Sequence, residues 1–489
     1  MINNKSVFSN LIWRFLERCG AQGVTFIVSI VLARFLDPAV YGTVALVTVF
    51  TTITQVFVDS GMGSALIQKK DADDTDFSSV FWFNLTMCTV LYMVMFFVAP
   101  LISSFYHMPE LTSIVRVLSL VIIISGVKNI QQAYVSKNML FKRFFFSTLG
   151  GTICAAVVGI AMACLGYGVW ALVAQMLCNT AIDTTILWIT VKWRPKKLFS
   201  FKRLKALFSY GWKLLVSSLV DTGYREIRSL IIGKLYTTED LAFYNKGQQL
   251  PKFIVTNIAT AIDSVLFPTM SSAQDDRKRV KAMTRRAIKT STYIMMPLMV
   301  GFAVCAEPLV RIILTEKWLP VVPYIRFACI SLGFYVIHTA NLNAIKAIGR
   351  SDVFLKLEII KKVVGISILL ATMWHGVYIM ALFSIAASLA DQIINSWPNK
   401  KLLSYGYKDQ VIDMLPNIIL SVFMGAVVYC VSFLGLNDWL QLIIQFFVGI
   451  IVYFGISHLI KNESYIYIIS TVKSVFASKK KAKSSTDGK

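Results

Sequence analysis

Apolar runs of about 20 residues follow one another along almost the whole chain, each long enough to cross a bilayer as a helix. They lie near 11–36, 39–59, 79–104, 111–134, 143–165, 168–191, 207–235, 240–270, 286–314, 321–347, 352–373, 376–398, 411–434 and 439–460. The lysines and arginines collect on alternate connections. One side holds Lys69 and Lys70; Lys137, Lys142 and Arg143; Lys192, Arg194, Lys196, Lys197, Lys202, Arg203 and Lys205; and Arg277, Lys278, Arg279, Lys281, Arg285 and Arg286. It continues with Arg350 and Lys356, then Lys400, Lys401 and Lys408. The other side holds Arg34, Lys234, Arg311 and Lys317. Short basic loops stay in the cytoplasm. The expectation is an all-α polytopic membrane protein of fourteen transmembrane helices, both termini cytoplasmic, with Lys479, Lys480, Lys481 and Lys483 in the basic tail.

Composition agrees, since 15% of the 489 residues are charged and 56% hydrophobic, against roughly a quarter charged in a soluble domain. The formal charge of +23 is therefore first a record of topology, and no nucleic-acid partner is expected from charges confined to short loops between spans. Eight cysteines are scattered without CxxC or Cys/His spacing, so no metal and no cofactor is expected. The early segment with Arg14, Glu17 and Arg18 lacks the uninterrupted apolar core of a signal peptide, and the first span is expected to be retained.

The longest inner connection, near 192–207, contains Pro195 and a stretch from Phe199 to Phe208 with alternating charged and apolar residues, read as an amphipathic helix on the inner leaflet. It suggests a repeat. Ser29 through Gly42 resembles Ser229 through Ala242 at a shift of 200, six spans apart, which also makes Arg34 and Lys234 one position met twice. The expected organisation is a six-helix lobe over 1–192, an amphipathic cytoplasmic linker over 193–206 and a second six-helix lobe over 207–398. Helices thirteen and fourteen over 399–461 and a basic tail over 462–489 complete it.

Three spans carry charge that topology does not require. Span one has Arg14, Glu17, Arg18 and Gln22; span seven has Asp221, Arg225, Glu226 and Arg228; span eight has Lys246, Lys252 and Asp263. A charge at bilayer depth is costly unless it faces protein or water, so these residues suggest a hydrated central cavity, cationic on balance. Its natural occupant is an anion such as phosphate. The bland alternative is ion pairs holding helices together for Asp221 and Glu226, and snorkelling to the headgroups for Arg14. Elsewhere Lys128 reads as snorkelling, Asp183 and Asp391 as helix–helix hydrogen-bonding acids or, less commonly, proton or cation sites, His338 as a satisfied core histidine, and Trp82 as an interface anchor.

Several blocks are familiar in order: Trp13 with Glu17 and Arg18, VLARFLDPAVYG, Asp59 to Asn84 (DSGMGSALIQKKDADDTDFSSVFWFN), GYGVWALVAQ, FYNKGQQLP, LFPTMS and EKWLPVVPY. Through them the chain resembles the polysaccharide transporters (O-antigen and teichuronic-acid type flippases) of the MOP flippase superfamily over nearly its whole length. The resemblance implies fourteen helices in two six-helix lobes around a central cavity plus two C-terminal helices. It implies movement of undecaprenyl-diphosphate-linked oligosaccharide from the inner to the outer leaflet of a bacterial cytoplasmic membrane, not an enzymatic reaction. By helix position it points to Arg18, Arg225 and Lys252 as cations for the diphosphate, with Lys246 and Arg228 in support. Asp221, Glu226 and Asp263 are the candidate coupling acids. Partners would be the lipid-linked oligosaccharide, membrane lipids, and polysaccharide polymerase and export proteins. The competing readings are a cation-coupled multidrug exporter of the same superfamily, which would want an acidic cavity, and a membrane glycosyltransferase or ligase, which would want a large outer loop.

Overall fold

A computed structural model of the chain describes residues 4–59, 61–471 and 473–474. Among them there is no strand. The first series of helices is α1 (Asn4–Phe35), α2 (Pro38–Asp59), α3 (Met62–Gln68), α4 (Asp74–Tyr106), α5 (Leu111–Leu118), α6 (Leu120–Lys137), α7 (Phe141–Cys164) and α8 (Val169–Thr190). A second follows as α9 (Phe201–Leu235), α10 (Thr238–Ser271), α11 (Arg277–Val304), α12 (Ala306–Ile313), α13 (Val322–Gly333), α14 (Tyr335–Ala347), α15 (Ser351–Thr372) and α16 (Val377–Leu403). The pair α17 (Tyr407–Cys430) and α18 (Asp438–Leu459) follows, and residues 463–471 are helical beyond it.

Eleven spans among the described residues are long and apolar enough to cross a membrane, with α2–α3, α5–α6 and α13–α14 each serving as one. The other three expected spans fall on α1, α9 and α15, which are 32, 35 and 22 residues long. Length suffices in each, but polar residues lower the hydropathy; in α1 the apolar part is Gly20–Phe35. These less apolar helices include two that carry candidate site residues.

The repeat has a structural counterpart. α1 ends at Phe35 and α2 begins at Pro38, while α9 ends at Leu235 and α10 begins at Thr238, the same break 200 residues later. The fourth span of each series is interrupted near its middle, at Ser119 and at Phe334. By contacts the chain forms two compact units, Met1–Ala242 and Phe243–Lys489. The division falls one long helix after the sequence boundary, because α9 packs on α2, α3 and α4. The linker also differs from a free amphipathic helix. Residues 191–200 carry no regular helix, and 201–206 form the first turns of α9, whose N-cap Ser200 accepts from the Arg203 amide. With no glycine or proline before Gly211, the capped turn runs straight on into the span.

The block from Lys69 to Trp82 fixes that linker. Asp73 and Asp76 form a capping box at the start of α4. Asp73 meets Arg203 at 2.6 Å, Asp74 meets Lys196 at 2.6 Å, and the buried Asp76 meets Lys69 at 2.5 Å. The Arg203 hydrogen bond, with the cap amide, holds the Asp73 carboxyl down at about 2. The Lys196 and Ser200 amides donate to the Ser78 and Ser79 hydroxyls at 3.0 and 2.8 Å. Trp193 donates to Asp74 at 3.1 Å and Trp82 donates to the Lys196 carbonyl at 2.9 Å, so Trp82 is a fastener as well as an interface aromatic. Four charges, two hydroxyls and two indoles thus tie the α8–α9 connection to the α3–α4 corner.

Two glycines permit close backbone approach in the first unit. A Cβ at Gly42 would stand 1.7 Å from the Thr238 carbonyl oxygen, and one at Gly61, where φ is +65°, 2.5 Å from that of Gly211. Gly42→Ala is expected to destabilise by about 1–3 kcal/mol or more through overpacking, read as a lower unfolding temperature of the purified protein. Gly23→Ala, with nothing within 4 Å, is the control and should not lower it.

Candidate functional site

The candidate residues divide between the units. On α9, Arg225 and Asp221 form an i,i+4 ion pair at 2.8 Å. One helical turn separates them, so the pairing is intrahelical. The pair keeps substantial exposure, 60% for the Arg225 side chain and 48% for Asp221, which leaves the guanidinium able to meet a second anion. Glu226 and Arg228 lie on the same stretch, partly buried. The side chains of Arg14, Glu17 and Arg18 lie outside those the structure describes.

In the second unit, α10 separates its two lysines. Lys246 is buried, 6% exposed, beside Gly247, where a Cβ would stand 2.4 Å from Tyr324 of α13. Tyr244 meets Tyr324 edge-on at 6.3 Å. The familiar FYNKGQQLP block is thus a packing face. Lys252 lies on the exposed face with Phe253, Thr256 and Asn257. Asp263 accepts from Asn343 of α14, which is wholly buried, and so is engaged between helices.

A second feature was not expected from sequence. Between α10, α11, α17 and α18 lies an apolar cavity of ≈690 Å³, lined by Ile254, Pro297, Leu298, Met424, Phe446 and Ile450 among others. Its two tyrosines turn their hydroxyls away: Tyr293 donates to Ser457 at 2.9 Å and Tyr453 to the Tyr293 carbonyl at 2.7 Å. The volume is that of an ordinary ligand pocket, but the lining offers aliphatic and aromatic carbon. Hydropathy alone could not reveal it, because lipid-facing and groove-facing residues are equally apolar.

Other polar residues turn out to be paired. Lys128 reaches Asp183 of α8 at 3.1 Å, with side chains 18% and 11% exposed, so Lys128 is an interior partner and does not snorkel. Neighbouring Asn129 donates to the Val58 carbonyl at 2.7 Å. His338 lies 3.5 Å from Asn395 through its Nδ1.

A bundle of membrane-length helices in two repeated series, with cations on α9 and α10 and an apolar groove, defines a multi-pass membrane protein. A sequence profile described as "Polysaccharide biosynthesis protein" matches residues 31–323, and the chain belongs to that family. It is 23% identical to the succinoglycan biosynthesis transport protein ExoT of Rhizobium meliloti (strain 1021), over 74% of this chain and 73% of that one. It is 23% identical to the teichuronic acid biosynthesis protein TuaB of Bacillus subtilis (strain 168), over 78% and 80%. Among solved structures, the lipid II flippase MurJ in an inward closed conformation superposes with a TM-score of 0.73 at 16% identity, covering 93% of this chain and 98% of that one.

The Lys128–Asp183 pair gives a direct test of interior electrostatics. Lys128→Met should cost about 3–5 kcal/mol by leaving Asp183 unpaired, whereas Lys128→Met with Asp183→Leu should recover most of that loss. Unfolding of the purified variants in detergent measures both.

Proposed function

We propose that the protein is a flippase that carries undecaprenyl-diphosphate-linked oligosaccharide from the inner to the outer leaflet of a bacterial cytoplasmic membrane by alternating access. In this reading fourteen helices cross the membrane in two six-helix lobes plus a closing pair, and both termini are cytoplasmic. The observation that carries the proposal is on α10, where exposed Lys252 stands two residues from Ile254 of the apolar groove. The helix thus carries, on opposite faces, an ammonium for a diphosphate and aliphatic carbon for an isoprenoid tail, the two chemistries of a lipid-linked sugar.

Arg225 of the first unit is the other candidate cation for a diphosphate. Asp221 is its resident counter-ion, and a diphosphate can displace it through a bidentate, charge-assisted contact. Arg228, Lys246 and Arg18 add positive potential by their helix positions, and Asp221, Glu226 and Asp263 are the acids available for ion coupling from the candidate set. The groove takes part of the tail, and the remainder stays in lipid. A negative interior favours outward movement of the anion by roughly 2.3 kcal/mol per charge per 100 mV. The polymerase and export proteins of a surface polysaccharide are the partners this role requires.

The test is export in a strain lacking the chromosomal gene and complemented with variants. Lys252→Ala and Arg225→Ala should each lower surface polysaccharide by about tenfold, the equivalent of one lost charge-assisted contact. The lipid-linked unit should accumulate on the cytoplasmic side. Normal export from the double variant, at normal membrane levels, contradicts the proposal.

A further inference from the structure

α16 carries Ser384, Ser388, Asp391, Asn395 and Asn399, at steps of three or four that place them on one helix face. That face is turned inward, with Asn395 and Asn399 wholly buried. Toward the outer end, the Ser331 and Ser384 hydroxyls share a 3.0 Å hydrogen bond and Ser388 donates to the Ser331 carbonyl at 2.7 Å. Toward the basic end, Asn399 donates to Asn341 at 2.7 Å, and Asn341 and Gln410 exchange bonds of 2.9 and 2.8 Å. Gln410 reaches the Tyr405 carbonyl at 3.4 Å, and the Tyr405 hydroxyl donates to Asp413 at 2.9 Å. Asp413 meets Arg285 at 2.7 Å and Lys289 at 3.2 Å.

Between these ends lies a charged cluster. Lys361 of α15 is 2.5 Å from Glu358, and Asp391 interacts electrostatically with both. At about 1.5 Å per residue, the three lie roughly 11 to 18 Å from the basic ends of their helices. α14 contributes His338, which feels Lys361 and contacts Asn395. Arg326 of α13 is bonded to the Ala303 carbonyl on α11. The charged groups of α11 and α17 named above, Arg285, Lys289 and Asp413, sit at the basic end.

The count of charges is uneven. Among the described residues Lys361 pairs with Glu358 while Asp391 makes no ion pair, and an uncompensated charge at membrane depth is costly. Protonation is the simplest way to neutralise that second carboxylate. The route is marked independently. Gln392 Oε1, Asn395 Oδ1 and Asn399 Oδ1 are buried acceptors with no hydrogen-bond partner, on residues 1%, 0% and 0% exposed. Orphaned acceptors in a polar seam are the groups that ordered water satisfies, and water joining them would run from Asp391 to Asn399.

We propose that Glu358, Lys361 and Asp391 form a proton-exchange site in the second unit, linked to the basic face by the amide seam of Asn395, Asn399, Asn341 and Gln410. A proton taken from water onto one carboxylate is returned to water past Tyr405 and Asp413, with no bond broken except that to the carried proton. The site deepens the flippase reading by naming the counter-moving ion, and it rests on that reading for its purpose. It adds a coupling site to the acids of the candidate set, Asp221, Glu226 and Asp263.

Infrared difference spectroscopy of the full chain in lipid tests the site without transport. The wild type should show a carboxylic-acid carbonyl band that disappears on alkaline titration. Asp391→Asn or Glu358→Gln should remove it. Asn399→Leu should keep the band but slow its exchange in D2O several-fold. Monodisperse elution of each variant guards against misfolding, and two carboxylate variants keep the test open if one fails. A band insensitive to both carboxylate changes overturns the proposal, as does a band erased by sodium at fixed pH. In cells, Asp391→Asn should lower polysaccharide export several-fold; a lost band with full export overturns the coupling role. Failure of the Arg225 and Lys252 export test with this band intact would remove the flippase reading and leave the proton site standing.

Discussion

Hydrocarbon offers no hydrogen bonds and little relief for charge, so every segment that crosses it must satisfy its own backbone and find partners for its polar side chains. The helical content, the long spans and the inward placement of polar residues all follow from that constraint. The first unit answers it with cross-helix pairs such as Lys128–Asp183 and, outside the spans, with the acidic corner that holds the α8–α9 connection. The second answers it with an amide seam along α16. What remains after such pairing is informative. Lys252 on an exposed face and the half-exposed Asp221–Arg225 pair are charges that neither packing nor topology demands.

The same constraint explains why function and hydropathy pull against each other here. α1, α9 and α15 have the length of spans but fall short in apolarity, and α9 and α15 carry the Asp221–Arg225 and Glu358–Lys361 pairs. A helix that carries charge gives up part of its affinity for lipid. Packing against neighbours then has to hold it, as α2, α3 and α4 do for α9.

Eleven of the fourteen expected spans were legible from apolar runs, because span length is imposed directly by the bilayer. The offset of 200 residues was legible too, since both copies end a helix at the same relative position, Phe35 and Leu235. The role of DADDTDFSSVFW was not. Its residues serve as family markers in the sequence, yet their chemistry is to bind residues 193–203, more than a hundred positions away. Lys128 misled for a related reason, because its partner Asp183 sits two spans later. The seam left one readable trace, the spacing by four of Asp391, Asn395 and Asn399. The groove left none.

The central claim is that this membrane fold carries an anionic lipid-linked sugar across the bilayer. Its most direct test uses proteoliposomes holding an undecaprenyl-diphosphate oligosaccharide in one leaflet, probed by a lectin added to the opposite side. The sugar should become accessible to the lectin when the protein is present and stay hidden in protein-free vesicles. A sugar that stays hidden with folded protein, while a lipophilic cationic dye is carried in its place, would contradict the account.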